Sequence, residues 1–276
     1  MSAPDTNAFG PAPVNTTTFT AGSAANAPAA NPGLDAVLAG PQRTEAERER
    51  DVYRHPRETL TFFGLTEAMT VVELAPGQGW YTAILAPYVH DHGKMFITAP
   101  TADAPPEAQQ NGKALFDRLT KSPTMFDRVT PVMADIKKDY ALGPDGSADL
   151  VLTFRNLHGW IRDGVMDKVF KSAFTVLKRG GTLGVVEHRA AAGAPSDAQS
   201  IAKSGYVPEA VAIDFATKAG FVVADKSEIN ANAKDTKDYP NGVWSLPPTY
   251  EGGDVDKAKF KAIGESDRMT LKFKKP

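Results

Sequence analysis

The sequence predicts an α/β fold: a mostly parallel seven-stranded sheet, helices on both faces, and an antiparallel last strand. Three observations predict it. Short apolar strands alternate with helical patterns through most of the 276 residues, which implies right-handed crossovers and a parallel sheet covered on both sides. The run Val71-Val72-Glu73-Leu74 leads into Pro76-Gly77-Gln78-Gly79 and then a helix, the usual seat of a nucleotide-type ligand. The final strand follows another strand after a long loop, so it is expected to turn back antiparallel.

The elements follow in order. Residues 1–40 are rich in Ala, Pro, Thr, Asn and Gly with few large apolar side chains. They read as a dispensable disordered tail, because so little burial cannot offset the entropy of ordering. The remaining domain, 41–276, opens with a helical segment over 41–70. Thr44 and Glu47 have the spacing of a capping box. The helix runs to Arg54, Pro56 forces a boundary near His55, and a second helix over 57–63 stops at Gly64. Beyond the first strand, helices are expected over 80–88, 107–120, 166–177 and 208–218. Strands are expected over 94–98, 128–133, 149–154, 182–186, 221–228 and 269–274. Lys178-Arg179-Gly180-Gly181 reads as a glycine-terminated helix cap. The long stretch 229–264 reads as a lid or packed arm anchored near Asp267-Arg268.

Composition narrows the function. A formal net charge of −2 gives no general attraction to nucleic acid. Cysteine is absent, which removes disulfides and thiolate metal sites. No apolar run is long enough to span a membrane, and no export signal is visible. A cytoplasmic protein is the first expectation. Neither a nucleic acid nor a membrane partner is expected.

The glycine turn carries the cofactor reading. A dinucleotide fingerprint wants a glycine where Thr82 stands. Glu73, Ala75, Gly77 and Gly79 instead fall at alternate positions, although a tight strand–helix turn needs glycine for its own sake. With this spacing the chain resembles the class I methyltransferases, Rossmann-like enzymes that use S-adenosylmethionine. Their first motif has an acid at the strand end followed by alternate glycines, the first of which is Ala75 here. Asp135-Ile136 after the third strand, Ala148-Asp149-Leu150-Val151-Leu152, and Leu177-Lys178-Arg179-Gly180-Gly181-Thr182-Leu183 extend the likeness. More narrowly, Tyr53-Arg54-His55-Pro56, Phe154-Arg155-Asn156-Leu157-His158 and Val186-Glu187-His188-Arg189 resemble a bacterial group known mainly as predicted methyltransferases. Many of its members are exported, so a periplasmic or secreted location is the alternative.

The resemblance implies S-adenosylmethionine as cofactor, with Gly77 and Gly79 at its methionine part. It implies that Glu73 orders the turn and Asp135 lies near the adenine, with Ala75 and Arg155 on the cofactor side. There is one departure. The family usually holds the ribose with an acid at the end of the second strand, whereas this strand ends Ile97-Thr98-Ala99-Pro100, with Asp103 the nearest acid.

Ligands in open α/β sheets bind beyond the carboxyl ends of the strands. Two polar runs fall there: Arg155, Asn156, His158 and Trp160 after the fourth strand, and Glu187, His188 and Arg189 after the fifth. They are expected to face one cleft. His158 or His188 is the candidate base, and Arg155 or Arg189 the candidate grip on an anionic acceptor. Asn156, Trp160, Glu187, Arg189, Tyr206 and Trp244 are placed on the substrate side. The competing reading has these residues tying loops together. His55, His158, His188 and Glu187 make a chemically credible ligand set, but their spacing matches no metal motif and no metal is expected. The leading function is methyl transfer to a small molecule. Its rivals are a non-catalytic ligand-binding protein on the same fold and, disfavoured by Thr82, a dinucleotide oxidoreductase.

Overall fold

A computed structural model describes residues 32–276, apart from 134, 137 and 139. Four short helices come first: α1 (Pro32–Ala39), α2 (Glu45–Arg48), α3 (Asp51–Arg54) and α4 (Pro56–Phe63). Then follow β1 (Thr70–Leu74), α5 (Thr82–Val89), β2 (Lys94–Ala99), α6 (Pro106–Lys121), α7 (Pro123–Phe126) and β3 (Val129–Met133). The second half holds β4 (Ala148–Phe154), α8 (Leu157–Arg162), α9 (Met166–Val176), β5 (Leu177–His188), α10 (Ala198–Ser204), α11 (Glu209–Lys218) and β6 (Val222–Ser227). A 3-10 turn at Gly242–Ser245, α12 (Lys257–Ile263) and β7 (Arg268–Lys274) complete the series.

The sheet has seven strands in the order β3-β2-β1-β4-β5-β7-β6. The first five are parallel, and β7 runs antiparallel between β5 and β6. The chain steps outward from β1 through β2 to β3, then returns to place β4 on the other side of β1. Ligands of open α/β sheets bind in the crevice at such a reversal. Alternation along β1 builds both faces. Val72 and Leu74 join the core under α8, α9 and α11, while Val71 joins the core under α4 and α5.

Local signals account for the N-terminal helices. Thr44 accepts from Glu47 N, and Glu47 answers through the Thr44 amide, closing the capping box. Pro56 opens α4, where its missing N–H costs nothing, and Gly64 at φ 83° ends it. No helix among the described residues is long and apolar enough to cross a membrane.

Some expectations need correction. Over 1–31 the expected tail lies outside the described residues. Over 32–39 it is replaced by α1, whose Leu34 is fully buried with Val37 and Leu38 packed beside it. The glycine-terminated helix cap at 178–181 is replaced by strand. Leu177 is already extended, and β5 begins there with an irregular register against β4. The short helices α8 and α10 were not expected. Residues 229–264 form an arm held by buried polar bonds. Asn230 Nδ2 donates to Thr59 and Thr270 hydroxyls at 3.0 and 2.9 Å, and Asn232 Nδ2 to the carbonyls of Ile263 and Glu265. Tyr239, Leu246 and Phe260 form a small core of their own.

Candidate functional site

The glycine turn sits at the carboxyl end of β1. Glu73 is buried, and its Oε2 accepts from Thr82 Oγ1 at 2.6 Å. That bond spans the turn and ties the strand to the first residue of α5. Ala75 donates its amide to Thr98 Oγ1 on β2 at 2.7 Å. Ala75, Gly77 and Gly79 all have positive φ, at 45°, 58° and 83°. A side chain at Gly79 would meet Leu115 at 2.6 Å, whereas at Gly77 it would meet nothing within 4 Å. Gly79 is therefore a packing requirement, and Gly77 faces open space where a ligand can approach backbone. Trp80 fastens the N-terminal segment to this turn. Arg43 and Arg54 stand over its ring at 5.0 and 4.6 Å, and its indole donates to Glu47 O.

The loop after β4 starts against this turn. Asn156 Nδ2 reaches Leu74 O, Ala75 O and Thr153 Oγ1 at 3.2, 3.3 and 3.0 Å. Arg155 adopts φ 63° and donates its amide to Val186 O on β5. Left-handed backbone in a residue with a side chain is strained. Here the sharp bend delivers His158 beside the end of β5.

Glu187 is the hub there. It is completely buried. Its Oε2 accepts from Leu157 N at 2.5 Å, and its Oε1 accepts from His188 N at 2.8 Å and lies 3.1 Å from His158 Nδ1. A carboxylate only accepts, so His158 presents Nδ1–H to it and turns Nε2 outward as the basic nitrogen. His188 lies 5.5 Å from His158 between ring centres, and its Nδ1 is 2.5 Å from Ser266 Oγ. Burial, then the charges of His158, Arg268 and Arg155, push His188 well below its ordinary titration range. It is neutral at pH 7. Trp244 meets the His158 ring edge-on at 5.9 Å.

Next to His188 lies a group that sequence reasoning missed: Glu265, buried among Arg50, Arg54, Arg155 and Arg268. A cavity of about 150 Å³ opens beside Glu265 and Ser266, lined also by Tyr53, His55, Asn230 and Asn232. The visible signal for Glu265 was the acidic and basic run Glu265-Ser266-Asp267-Arg268 at the start of the last strand.

The two polar runs thus meet, but not every predicted residue joins them. His158, Glu187 and His188 come together. Trp160 does not: it packs in the core with Leu157 and Met166. Asn156 is committed to the β1 and β4 ends. Arg189 is bound on both sides, to Asp267 at 2.9 Å and Glu228 at 2.6 Å, so it is a tie to the arm rather than a grip for an acceptor. Tyr206 donates to Asp235 at 2.9 Å, with its ring 6.3 Å from His188. Asp135 lies beyond β3, 3.0 Å from Lys138, which also reaches Asp103 at 3.4 Å. The loops after β2 and β3 are bridged in this way.

His158, Glu187 and His188 also hold ligand-type atoms within 4.8 Å of one another. Both oxygens of Glu187 already accept backbone N–H groups. The neighbouring arginines make the site electropositive, which disfavours a divalent cation. His55 lines the cavity and is not part of this group.

The chain matches no protein-family model and no curated protein sequence. Solved structures do resemble it. A SAM-dependent methyltransferase from Aquifex aeolicus superposes with a TM-score of 0.51 at 19% identity, over 66% of this chain and 87% of that one. Geranyl diphosphate C-methyltransferase from Streptomyces coelicolor A3(2), solved with S-adenosyl-L-homocysteine, gives 0.55 at 13% identity, over 87% and 88%. The [4+2]-cyclase SpnF gives 0.55 at 17% identity, over 89% and 92%. A cyclase among these neighbours shows that the fold alone does not set the reaction. The strand order, the glycine turn after β1 and these likenesses together show that the chain has the fold of the class I S-adenosylmethionine-dependent methyltransferases.

Proposed function

We propose that the protein transfers a methyl group from S-adenosylmethionine to a small molecule. The observation that carries this reading is the turn at Gly77, open to solvent at the point where the strand order reverses. Solved neighbours of the same fold are methyltransferases, one of them crystallised with S-adenosyl-L-homocysteine. S-adenosylmethionine supplies a methyl group on a sulfonium, ready for in-line displacement. Gly77 would take its methionine part, while Gly79, Glu73 and Thr82 keep the turn in shape. Asp135 stands on the loop after β3, where the fold family places a polar group near the adenine.

The acceptor side falls to the cluster after β4 and β5. An enzyme of this kind mainly aligns a nucleophile, and needs a base only where that nucleophile arrives protonated. His158 is the base. Glu187 fixes its tautomer through Nδ1 and stabilises the imidazolium that forms when Nε2 takes the proton. His188 stays neutral and walls the cleft. Trp244 closes over the His158 ring from the arm.

Calorimetric titration tests the reading directly. Adenosylmethionine and adenosylhomocysteine are expected to bind, and NAD and NADP are not. Binding of NAD in their place would move the protein to the oxidoreductases. No binding of any of the four would leave a ligand-binding protein that has lost the cofactor.

A further inference from the structure

The arginines around Glu265 exceed what one carboxylate needs. Arg50 Nε and Arg54 Nε lie 2.5 and 3.2 Å from its oxygens, Arg268 pairs with it as well, and Arg155 Nη1 stands 4.0 Å away. Four guanidiniums facing one carboxylate leave a formal surplus of three positive charges. Burying unbalanced charge is costly, and a chain that keeps it needs a compensating partner.

The hydrogen-bond donors are in surplus too. Arg54 is 3% exposed and Arg268 2% exposed. Nη1 of Arg54, Nε of Arg268 and Nη2 of Arg50 are buried with no acceptor. Each of these three arginines thus holds Glu265 with one nitrogen and leaves another unsatisfied, which native interiors rarely tolerate. Access is one-sided. The side chains of Arg50 and Arg155 are 25% and 26% exposed, so the cluster opens past them. One kind of ligand corrects both deficits. An oxyanion brings negative charge and several acceptor lone pairs, and guanidinium forks match carboxylate and phosphate alike.

We infer that Arg50, Arg54, Arg155 and Arg268 form an oxyanion-binding site for the carboxylate or phosphate group of the acceptor. The site adjoins the base: Ser266, next to Glu265, contacts His188 Nδ1, and His188 lies 5.5 Å from His158. An acceptor anchored by its anion at the arginines therefore has its reactive end directed toward the imidazoles. That the anion belongs to a methyl acceptor rests on the proposed methyl transfer; that the arginines bind an oxyanion does not.

Thermal unfolding of the full chain separates the two. Sodium phosphate and sodium acetate are titrated against sodium chloride at equal ionic strength. At least one is expected to raise the melting temperature saturably beyond chloride, as a ligand of the native state does. The tighter of the two identifies the anionic group. Arg50→Gln and Arg155→Gln change the half-open side of the cluster, where the fold is least at risk. Each is expected to raise the midpoint concentration by about tenfold or more, the usual cost of a charge-assisted hydrogen bond. Adenosylhomocysteine titrated into Arg50→Gln is expected to bind as in the unsubstituted protein. A response to phosphate and acetate no greater than to chloride overturns the site, and so do unshifted midpoints in both variants. Saturable phosphate binding by a protein that ignores adenosylhomocysteine supports the oxyanion site and overturns methyl transfer.

Discussion

The glycine turn and the arginine cluster each bury one glutamate, at 2% exposure in both cases, and their surroundings drive the two in opposite directions. Glu73 has a single side-chain hydrogen bond, from the Thr82 hydroxyl. Burial outweighs it and pushes the carboxyl up to about 7. Burial would raise Glu265 as well, but Arg268, Arg54, Arg155 and Arg50 overcome it and hold the carboxyl far below the usual range. The turn is thus a nearly neutral seat made by residues within ten positions of one another. The cluster is a charged one assembled from α2–α3, the loop after β4 and the start of β7. This suits the turn to a ligand whose contacts are mostly to backbone, and the cluster to a charged one.

The comparison breaks most sharply at Glu265. Glu265→Gln leaves four arginines facing no carboxylate, and removal of one partner from a buried ion network costs about 3–5 kcal/mol. Urea unfolding at pH 7 reads this loss. The sign follows from the depressed carboxyl. Its contribution is fully present above the ordinary 4.5 and fades as pH falls below it, so the gap between variant and parent closes in acid. A gap under about 1 kcal/mol at pH 7 would show that the arginines do not depend on Glu265.

Glu73 should behave in the reverse sense. Its raised carboxyl gives stability that is fully present below 4.5 and is lost as pH climbs to about 7, a decline of about 3 kcal/mol. Glu73→Gln cannot ionise, so it lacks this decline. Unfolding curves at pH 4.5 and pH 8 are expected to show the variant gaining on the parent protein at the higher pH. Parallel profiles would mean that Glu73 titrates alike in the native and unfolded states.

The third experiment separates the work of the two regions. Once an acceptor is known, His158→Ala is expected to lower kcat about 10²-fold, about 2.7 kcal/mol on the barrier. Adenosylhomocysteine affinity, which belongs to the turn, should stay within a factor of two or so. Undiminished turnover would return His158 and Glu187 to the role of loop ties, and a joint loss of cofactor binding would show that the two regions are not independent.

How much of this was legible in the chain depends on distance along it. The alternating strands and helices, the capping box at Thr44 and Glu47, and the glycine turn all follow from residues a few positions apart. The grouping of His158 with Glu187 and His188, 29 and 30 positions away, was legible for a different reason: parallel neighbours send their following loops to the same edge of a sheet. Trp160 was misplaced because an apolar face within a single short helix gives no sign of which way it turns. Arg189 was misplaced because its partners, Glu228 and Asp267, lie on distant segments. Helix α1 was overlooked because three apolar residues at helical spacing were set in a tail of Ala and Pro, and only the core they meet makes them a helix.

By itself, then, the sequence determined the mostly parallel sheet, the reversing last strand and the glycine turn, since local backbone preference and hydrophobic periodicity decide these, and it left the candidate base open between His158 and His188. The tertiary structure alone decided which charges face each other. Arg54 and Glu265 are separated by 211 positions, and their meeting depends on α3, β4 and β7 reaching one edge of the sheet. Electrostatic interactions depend on separation in space and on the surrounding dielectric, and neither quantity is written along the chain.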